Sequence, residues 1–166
     1  MEHPRVTDTY DFEGELAVVI GRAGRHVDEA GALDHVAGYA CFNDGSVREH
    51  QRHTTQFTPG KNFDRSGAFG PWLVTADEVG DPQALSLETR LNGETVQETT
   101  TDLMIFPIAE VIAYLSVFTE LVPGDVIATG TPGGVGAART PPLWMQPGDT
   151  VEVEISRVGR LANPVD

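Results

Sequence analysis

The chain has 166 residues, with 25 Asp and Glu against 11 Lys and Arg, which gives a formal net charge of −14. So acidic a chain is not expected to bind nucleic acid or an anionic membrane, although local cations can still hold a small anionic substrate. The single cysteine, Cys41, excludes an internal disulfide, and no apolar run is long enough to cross a bilayer. The polar first ten residues lack the apolar segment of a signal peptide, so we expect a cytoplasmic protein with a single domain over residues 1–166.

Residues 11–20 predict a strand that carries two acidic side chains on one face. Phe12 and Leu16 fall on one parity of the alternation, and Glu13 and Glu15 fall on the other. Parallel carboxylates repel each other unless a cation lies between them. The pair therefore indicates either a cation site or a solvated sheet edge.

A third acid lies on a turn further along the chain. The run Asn43-Asp44-Gly45-Ser46 is rich in turn residues and is expected to cap a short helix over residues 47–51. On such a helix Asp44, Arg48 and Gln51 would share one face, because residues three and four positions apart are neighbours on a helix.

Later segments alternate between short strands and loops. Predicted strands cover residues 70–75, 85–91, 95–99, 126–128 and 151–155, and predicted loops cover residues 56–69 and 76–83. Asn92-Gly93 joins two of these strands and favours a type I′ hairpin. Lys61 falls within the first of the two loops.

One long helix is predicted over residues 107–121. Its apolar side chains recur at helical spacing and are Ile108, Val111, Ile112, Leu115 and Phe118. Together with many short strands and abundant Gly and Pro, this helix indicates a β-rich α+β domain. The glycine-rich loop over residues 129–136 lacks the lysine of a phosphate-binding loop and does not open a helix, so no nucleotide site is predicted.

The three acids Glu13, Glu15 and Asp44 suit a hard divalent ion such as Mg²⁺, Mn²⁺ or Ca²⁺, which prefers oxygen ligands. Zinc is disfavoured because no pair of histidines has a ligand spacing. Three acids without a metal are also common, so the residues by themselves leave both interpretations open.

Six segments from Tyr10 nearly to Val165 form a specific combination. They are Phe12-Glu13-Gly14-Glu15-Leu16; Gly38-Tyr39 with Phe42-Asn43-Asp44, Ser46, Arg48 and Gln51; Gly60-Lys61-Asn62-Phe63-Asp64; Gly70-Pro71-Trp72-Leu73-Val74-Thr75; Asp102-Leu103-Met104-Ile105-Phe106; and residues 123–132. In this combination the sequence resembles the fumarylacetoacetate hydrolase superfamily, in its bacterial acylpyruvase, hydratase, isomerase and decarboxylase branch. The resemblance implies a mixed β-sandwich roll that usually forms a homodimer.

The resemblance also implies roles for individual residues. The expected ligands of Mg²⁺ or Mn²⁺ are Glu13, Glu15 and Asp44. The expected catalytic groups are Lys61, Arg48 and Gln51, and the expected substrate contacts are Arg48, Gly130 and Thr131. The implied substrate is a 2-oxo acid or diketo acid, or its enol, from aromatic or amino-acid catabolism. C–C hydrolysis, tautomerisation and decarboxylation all fit, because a divalent ion stabilises the enolate in each.

The residues before Glu13 keep a second hypothesis open, namely that the chain is not an active enzyme by itself. Several hydrolytic members of the superfamily activate water with a His–Glu pair on an upstream lid, whereas the only histidine before residues 11–20 here is His3. Tautomerisation or decarboxylation is therefore favoured over hydrolysis, and the alternative is a non-catalytic or partner-dependent subunit or fragment. Without the resemblance, Arg48 and Lys61 would be read as solvated surface cations. His50 and His53 are expected to be bystanders.

Overall fold

Ten strands and five helices make up the fold, and the computed structural model describes residues 1–166. The strands are β1 (Tyr10–Asp11), β2 (Gly14–Ile20), β3 (Val36–Asn43), β4 (Ser46–Val47), β5 (Ala68–Thr75), β6 (Ser86–Leu91), β7 (Glu94–Thr100), β8 (Val126–Ala128), β9 (Thr150–Ile155) and β10 (Gly159–Pro164). The helices are α1 (Glu29–Ala32), α2 (Arg48–Gln51), α3 (Thr58–Lys61), α4 (Ala76–Val79) and α5 (Ile108–Phe118). Only α5 exceeds four residues, which confirms a β-rich α+β domain with one main helix. No helix combines the length and apolar character needed to span a membrane.

The first sheet has the strand order β5-β3-β2-β8, and all its pairs are antiparallel. Strand β2 lies inside this sheet: Ala17 opposes Ala40 on one side and Ala128 on the other. The register also places Gly14 opposite Asn43. The start of β2 therefore lies beside the turn that follows β3.

The second sheet has the order β10-β9-β6-β7 and is also antiparallel. Leu87, Thr89 and Leu91 of β6 are buried, and Glu88 and Arg90 between them are more exposed, as expected for a half-buried strand. Asn92 has φ 53° and Gly93 has φ 83°, and both values lie in the left-handed region that a type I′ turn requires. The predicted hairpin between β6 and β7 is thus confirmed.

One core joins the two sheets and the long helix. It contains 18 buried residues, among them Leu16 and Tyr39 from the first sheet, Leu87 and Ile155 from the second, and Ile112 from α5. A second cluster of eight buried residues packs around β1. The first sheet and the second sheet therefore form the two layers of a sandwich, as the resemblance implied.

Some local predictions were wrong. Residues 58–61 and 76–79 were predicted as loops but form single helical turns, and strand β10 was not predicted. Helix α2 begins after Val47, and no side chain caps it, so Asp44 stays outside the helix. These short elements are held by contacts with distant parts of the chain, and local sequence patterns do not report such contacts.

The long helix is shorter than its apolar pattern suggested. It ends at Phe118 instead of residue 121, because Leu121 forms an isolated bridge with Gly24. Ile108 and Ile112 are buried, but Phe118 is 60% exposed. Only part of the predicted apolar face therefore points into the core.

Candidate active site

The strand predicted over residues 11–20 begins only at Gly14, because Asp11 belongs to β1 and pairs with β4, but both glutamates of this segment are buried. Glu13 directly precedes β2 and is 7% exposed, and Glu15 is the second residue of β2 and is 3% exposed. Since β2 has a partner strand on each side, the interpretation of a solvated sheet edge is wrong.

Asp44 joins the two glutamates because β3 ends beside the start of β2. The backbone N–H of Asp44 donates to the carbonyl oxygen of Glu13 at 2.9 Å. Carboxylate oxygens of Glu13, Glu15 and Asp44 all lie within 4.8 Å of one another. The three predicted metal ligands therefore form one acidic cluster.

Lys61 brings a positive charge to this cluster. Its Nζ lies 2.7 Å from Glu13 Oε2 and 2.6 Å from Asp44 Oδ2, and its side chain is 18% exposed. The ammonium group therefore bridges two of the three carboxylates and offsets part of their mutual repulsion. Lys61 is not the solvated loop residue that composition alone would suggest.

The position of Lys61 depends on close packing between helices α2 and α3. Lys61 is the last residue of α3, and Gly60 before it lies against Gln51 at the end of α2. A Cβ atom at Gly60 would lie 2.5 Å from the backbone nitrogen of Gln51, closer than any real contact. Glycine at this position therefore lets α3 approach α2 and deliver Lys61 to the acids.

Burial disfavours the charged forms of the cluster. Burial raises the pKa of Glu15 to about 7, and the negative charges of Asp44 and Glu13 raise it further. The hydrogen bond from the Gly130 N–H and the positive charge of Lys61 lower this pKa in part. Burial also raises the pKa of Asp44, against the hydrogen bond and charge of Lys61. A cation that bound here would favour the charged carboxylates and would release a proton from Glu15 near neutral pH.

Arg48 is tied to the acidic cluster and is not free in solvent. Its Nη1 lies 2.6 Å from Glu13 Oε1 and donates to Gln51 Oε1 at 3.0 Å, while its Nε donates to Asp11 Oδ2 at 2.8 Å. Its Nη2 is buried and has no partner within the protein. The guanidinium therefore binds one carboxylate oxygen of Glu13 while Lys61 binds the other, and the alternative of a solvated surface cation is wrong for Arg48.

Asp11 is a site residue that the sequence analysis missed. It is completely buried and pairs with Arg48. The available signal was its position between Tyr10 and Phe12, two large apolar residues, two positions before Glu13. An acid inside an apolar stretch is seldom buried without a partner.

The glycine-rich loop lies directly against the acidic strand. The N–H of Gly130 donates to Glu15 Oε2 at 2.9 Å, and the hydroxyl of Thr131 donates to the carbonyl oxygen of Gly14 at 3.0 Å. The same hydroxyl accepts a hydrogen bond from Gln97 Nε2 at 2.8 Å. Both predicted loop residues are therefore at the site, but the Thr131 hydroxyl is already engaged by protein groups.

Gln97 is the second residue that the sequence analysis missed. Its side-chain oxygen accepts from the N–H of Gly14 at 2.9 Å, and its nitrogen donates to Thr131 and to the carbonyl oxygen of Pro132 at 3.1 Å. This 2% exposed amide therefore joins the acidic strand to the glycine-rich loop. A glutamine on a strand carries no local signal of such a role.

A cavity of about 460 Å³ opens beside the glycine-rich loop. Part of its wall is formed by residues of the loop, and the rest is mainly apolar. The apolar part comprises Leu16, Leu87, Leu103, Met104, Ile105, Phe106 and Val111. A cavity of this size suits a small organic molecule.

The two histidines near the site pack with aromatic neighbours. The His50 ring lies 4.6 Å from the His53 ring and 5.0 Å from the Phe63 ring, centroid to centroid. Nδ1 of His50 is buried without a hydrogen-bond partner. No ion pair joins either ring to the acidic cluster. That the two histidines are bystanders stays a prediction.

The donor set fits a hard divalent ion. Glu13, Glu15 and Asp44 present only carboxylate oxygens, and no sulfur or imidazole nitrogen belongs to the cluster. Oxygen donors of this kind suit Mg²⁺ and Mn²⁺, whereas zinc sites in proteins usually include sulfur or nitrogen ligands. The residues present therefore fit the predicted metal.

Comparison with known proteins points to one family. The family model described as fumarylacetoacetate (FAA) hydrolase C-terminal matches residues 1–166. Oxaloacetate tautomerase YisK of Bacillus subtilis (strain 168) is 44% identical over 163 residues, which are 98% of this chain and 54% of that protein. The chain spans about half the length of the curated relatives that it matches.

Solved structures share the fold over nearly the whole of this chain. A fumarylacetoacetate hydrolase from Exiguobacterium antarcticum is 43% identical with a TM-score of 0.95, over 99% of this chain and 59% of that one. A fumarylpyruvate hydrolase from Pseudomonas aeruginosa, crystallised in complex with Mn²⁺ and pyruvate, is 35% identical with a TM-score of 0.90, over 99% of this chain and 69% of that one. Since the family model matches from end to end, and the fold and identities agree with it, the chain belongs to the fumarylacetoacetate hydrolase family.

Proposed function

We propose that this protein is a divalent-metal-dependent enzyme that acts on a 2-oxo acid or diketo acid, or on its enol. The observation that carries the proposal is the cluster of the buried Glu13 and Glu15 with the partly exposed Asp44, whose oxygens lie within 4.8 Å of one another beside Lys61. Two relatives support the substrate class: one is named for oxaloacetate, and the other was crystallised with Mn²⁺ and pyruvate. Both oxaloacetate and pyruvate are 2-oxo acids.

Glu13, Glu15 and Asp44 would hold the ion. Mg²⁺ or Mn²⁺ bound there would polarise the substrate carbonyl and stabilise the negative charge of an enolate. Lys61 would act on the substrate oxygens. Its ammonium carries three N–H donors, of which two engage Glu13 and Asp44, so the third can reach a substrate oxygen or pass it a proton.

Arg48 and Gln51 would orient the substrate. Gln51 accepts from Arg48 through Oε1, which fixes the direction of its amide and leaves the NH₂ group to donate. Arg48 would hold Glu13 in place through Nη1 and fix the Gln51 amide. These contacts orient the reacting groups, and orientation lowers the entropic barrier of the reaction.

The glycine-rich loop would bind the carboxylate or carbonyl end of the substrate. Because the Thr131 hydroxyl donates to Gly14, the group that remains free at this residue is its backbone N–H, which has no partner within the protein. The apolar part of the neighbouring cavity would accept the substrate tail.

Among the three reactions, we propose enol–keto tautomerisation as the first to test. It requires only the transfer of a proton, and Lys61 is a proton carrier already placed at the cluster. Hydrolysis would also require a group that activates water, and neither histidine near the cluster is hydrogen-bonded to it.

The direct test replaces one expected ligand. With oxaloacetate enol and a panel of acylpyruvates in Mg²⁺ or Mn²⁺, Asp44→Asn should lower kcat/KM by about 100-fold or more, because the amide is a weaker oxygen donor and carries no charge. Asp149→Asn is the matched control: Asp149 accepts hydrogen bonds from Asn92 and Gln146 in a turn before β9. Full metal-dependent turnover by the Asp44 variant would reject the proposal.

The same assay addresses the second hypothesis. A purified chain that binds Mn²⁺ yet converts none of these substrates would point to a non-catalytic or partner-dependent subunit. The homodimer implied by the family stays a prediction, which sedimentation of the purified chain would test.

A further inference from the structure

Asp11 is a buried carboxylate that the proposed chemistry does not use. It is 0% exposed and accepts four hydrogen bonds. The donors are the backbone N–H groups of Phe12 (2.9 Å), Gly136 (2.7 Å) and Ala137 (2.9 Å) and Nε of Arg48 (2.8 Å). A carboxylate so fully engaged has no free acceptor for a metal ion or a substrate, so its effect on the site must pass through its partners.

The first hydrogen-bond partner of Asp11 is Arg48, which also contacts the predicted metal ligand Glu13. Arg48 binds Asp11 through Nε and Glu13 through Nη1. Because a guanidinium is planar and rigid, fixing Nε against Asp11 also fixes where Nη1 meets Glu13. Asp11 therefore determines the position of Glu13 indirectly, through Arg48.

The second partner is the end of the glycine-rich loop. A Cβ atom at Gly136 would lie 1.7 Å from the carbonyl oxygen of Leu143 and 2.7 Å from Asp11 Oδ1, so only glycine fits against Asp11. Near the other end of the loop, the N–H of Gly130 donates to Glu15 Oε2. Carboxylates of the acidic strand region thus hold both ends of the loop.

We propose that Asp11 is a positioning residue that sets the location of Glu13 relative to the substrate-binding loop. It acts through Arg48 on one side and through Gly136 and Ala137 on the other, and it touches neither metal nor substrate. This inference rests on the proposed function, because it assigns to Asp11 the alignment of a metal ligand with the substrate contacts at Gly130 and Thr131.

The test measures Mn²⁺ affinity by the paramagnetic resonance of free Mn²⁺, a readout independent of turnover. The substitution Asp11→Asn keeps the size of the side chain but removes its negative charge. The new NH₂ group would face at least one of the N–H groups that donate to Asp11. We expect it to weaken Mn²⁺ binding by about 10- to 100-fold, the range found for groups that orient metal ligands. Tyr10→Phe is the matched control, since it removes the buried hydrogen bond from Tyr10 to the carbonyl oxygen of Ser66 beside Asp11.

A double-mutant cycle then separates positioning from general destabilisation. Arg48→Lys should weaken Mn²⁺ binding by itself, because a single ammonium cannot contact Asp11 and Glu13 as the guanidinium does. Adding Asp11→Asn to that variant should cause little further loss, because the path through Arg48 is already broken. Tyr10→Phe should lower Tm while leaving the affinity unchanged.

The outcomes distinguish the two proposals. Native Mn²⁺ affinity in folded Asp11→Asn would overturn the role of Asp11 and leave the proposed function standing. Should Asp11→Asn not fold, Arg48→Lys decides, and native affinity in that variant would overturn the inference. A wild-type chain that binds no Mn²⁺ would reject the metal-dependent function, and the inference would fall with it.

Discussion

At the scale of single residues, the negative charges of the site outnumber its positive charges. The carboxylates of the site are Asp11, Glu13 and Glu15, which are buried, and Asp44, which is partly exposed. Arg48 and Lys61 form ion pairs with Asp11, Glu13 and Asp44. Four formal negative charges against two positive charges leave a balance of −2 if all the acids are ionised. A divalent cation would neutralise this balance, and without one a carboxyl is expected to keep its proton.

The raised pKa of Glu15 predicts how the stability of the metal-free protein changes with pH. The pKa is about 7 in the folded protein against an ordinary value of 4.5, so the folded state binds the proton more tightly than the unfolded chain does. The free energy of unfolding should therefore fall as pH rises from about 4.5 to about 7, by roughly 3 kcal/mol. The raised pKa of Asp44 acts with the same sign.

Urea unfolding at several pH values in the presence of a chelator measures this dependence. Glu15→Gln should flatten the decline, because the amide has no proton to lose in this range. Glu98→Gln, at an exposed position on β7, should retain it. A wild-type stability that does not change over this range would contradict the assignment.

At the scale of elements, the site depends on short helices that pack closely. Helices α2 and α3 have only four residues each, so neither is stable without tertiary contacts. Their contact at Gly60 and Gln51 places Arg48 and Lys61 on the same acidic cluster.

Gly60→Ala tests this contact. Its Cβ would lie 2.5 Å from the backbone nitrogen of Gln51, so α3 must move and carry Lys61 away from Glu13 and Asp44. We expect a loss of about 1–3 kcal/mol in the free energy of unfolding together with reduced turnover. Thermal unfolding and the oxaloacetate assay measure both effects.

Gly31→Ala is the control, because nothing lies within 4 Å of a Cβ at that position in α1. It should leave activity unchanged and alter stability little, or raise it slightly. If Gly60→Ala behaved in the same way, the close contact between α2 and α3 would not matter for the site.

At the scale of the whole molecule, one core connects the two sheets and α5. Ile112 lies in this core with 0% exposure, beside residues from both sheets. The acidic cluster is attached to the same framework, because Glu15 is a residue of β2 and Leu16 next to it enters the core. Site geometry and global stability are therefore linked through β2.

Ile112→Ala should lower the free energy of unfolding by about 2–5 kcal/mol, through lost burial and the cavity left behind. Ile105→Ala removes a side chain of the same type that is 88% exposed, and it should change stability by less than about 0.5 kcal/mol. Guanidinium unfolding compares the two variants. Equal effects would contradict the assignment of Ile112 to the core.

Local signals were enough to predict much of the fold. Asn92-Gly93 marked a hairpin, and the alternation around Leu87 marked its first strand, because turn chemistry and side-chain parity act over a few residues. The ends of α5 and the short helices were not predicted, because contacts such as that between Leu121 and Gly24 decide them.

The order of the amino acids was enough to identify the chemical groups that meet at the site. The family combination of motifs marked Glu13, Glu15, Asp44 and Lys61 as one set, and the structure brings these four side chains together. Arg48 was also expected at the site, although its contacts with Asp11 and Glu13 could not be read from spacing.

The arrangement of these groups depends on how the chain folds in three dimensions. Asp11 and Gly136 are 125 positions apart, and Gly14 and Gln97 are 83 positions apart, yet each pair is joined by a hydrogen bond. Such contacts follow from strand order and packing, which no local pattern encodes. Burial is likewise a property of the folded chain. It raises the pKa of Glu15, and it makes the binding of a cation by the acids favourable.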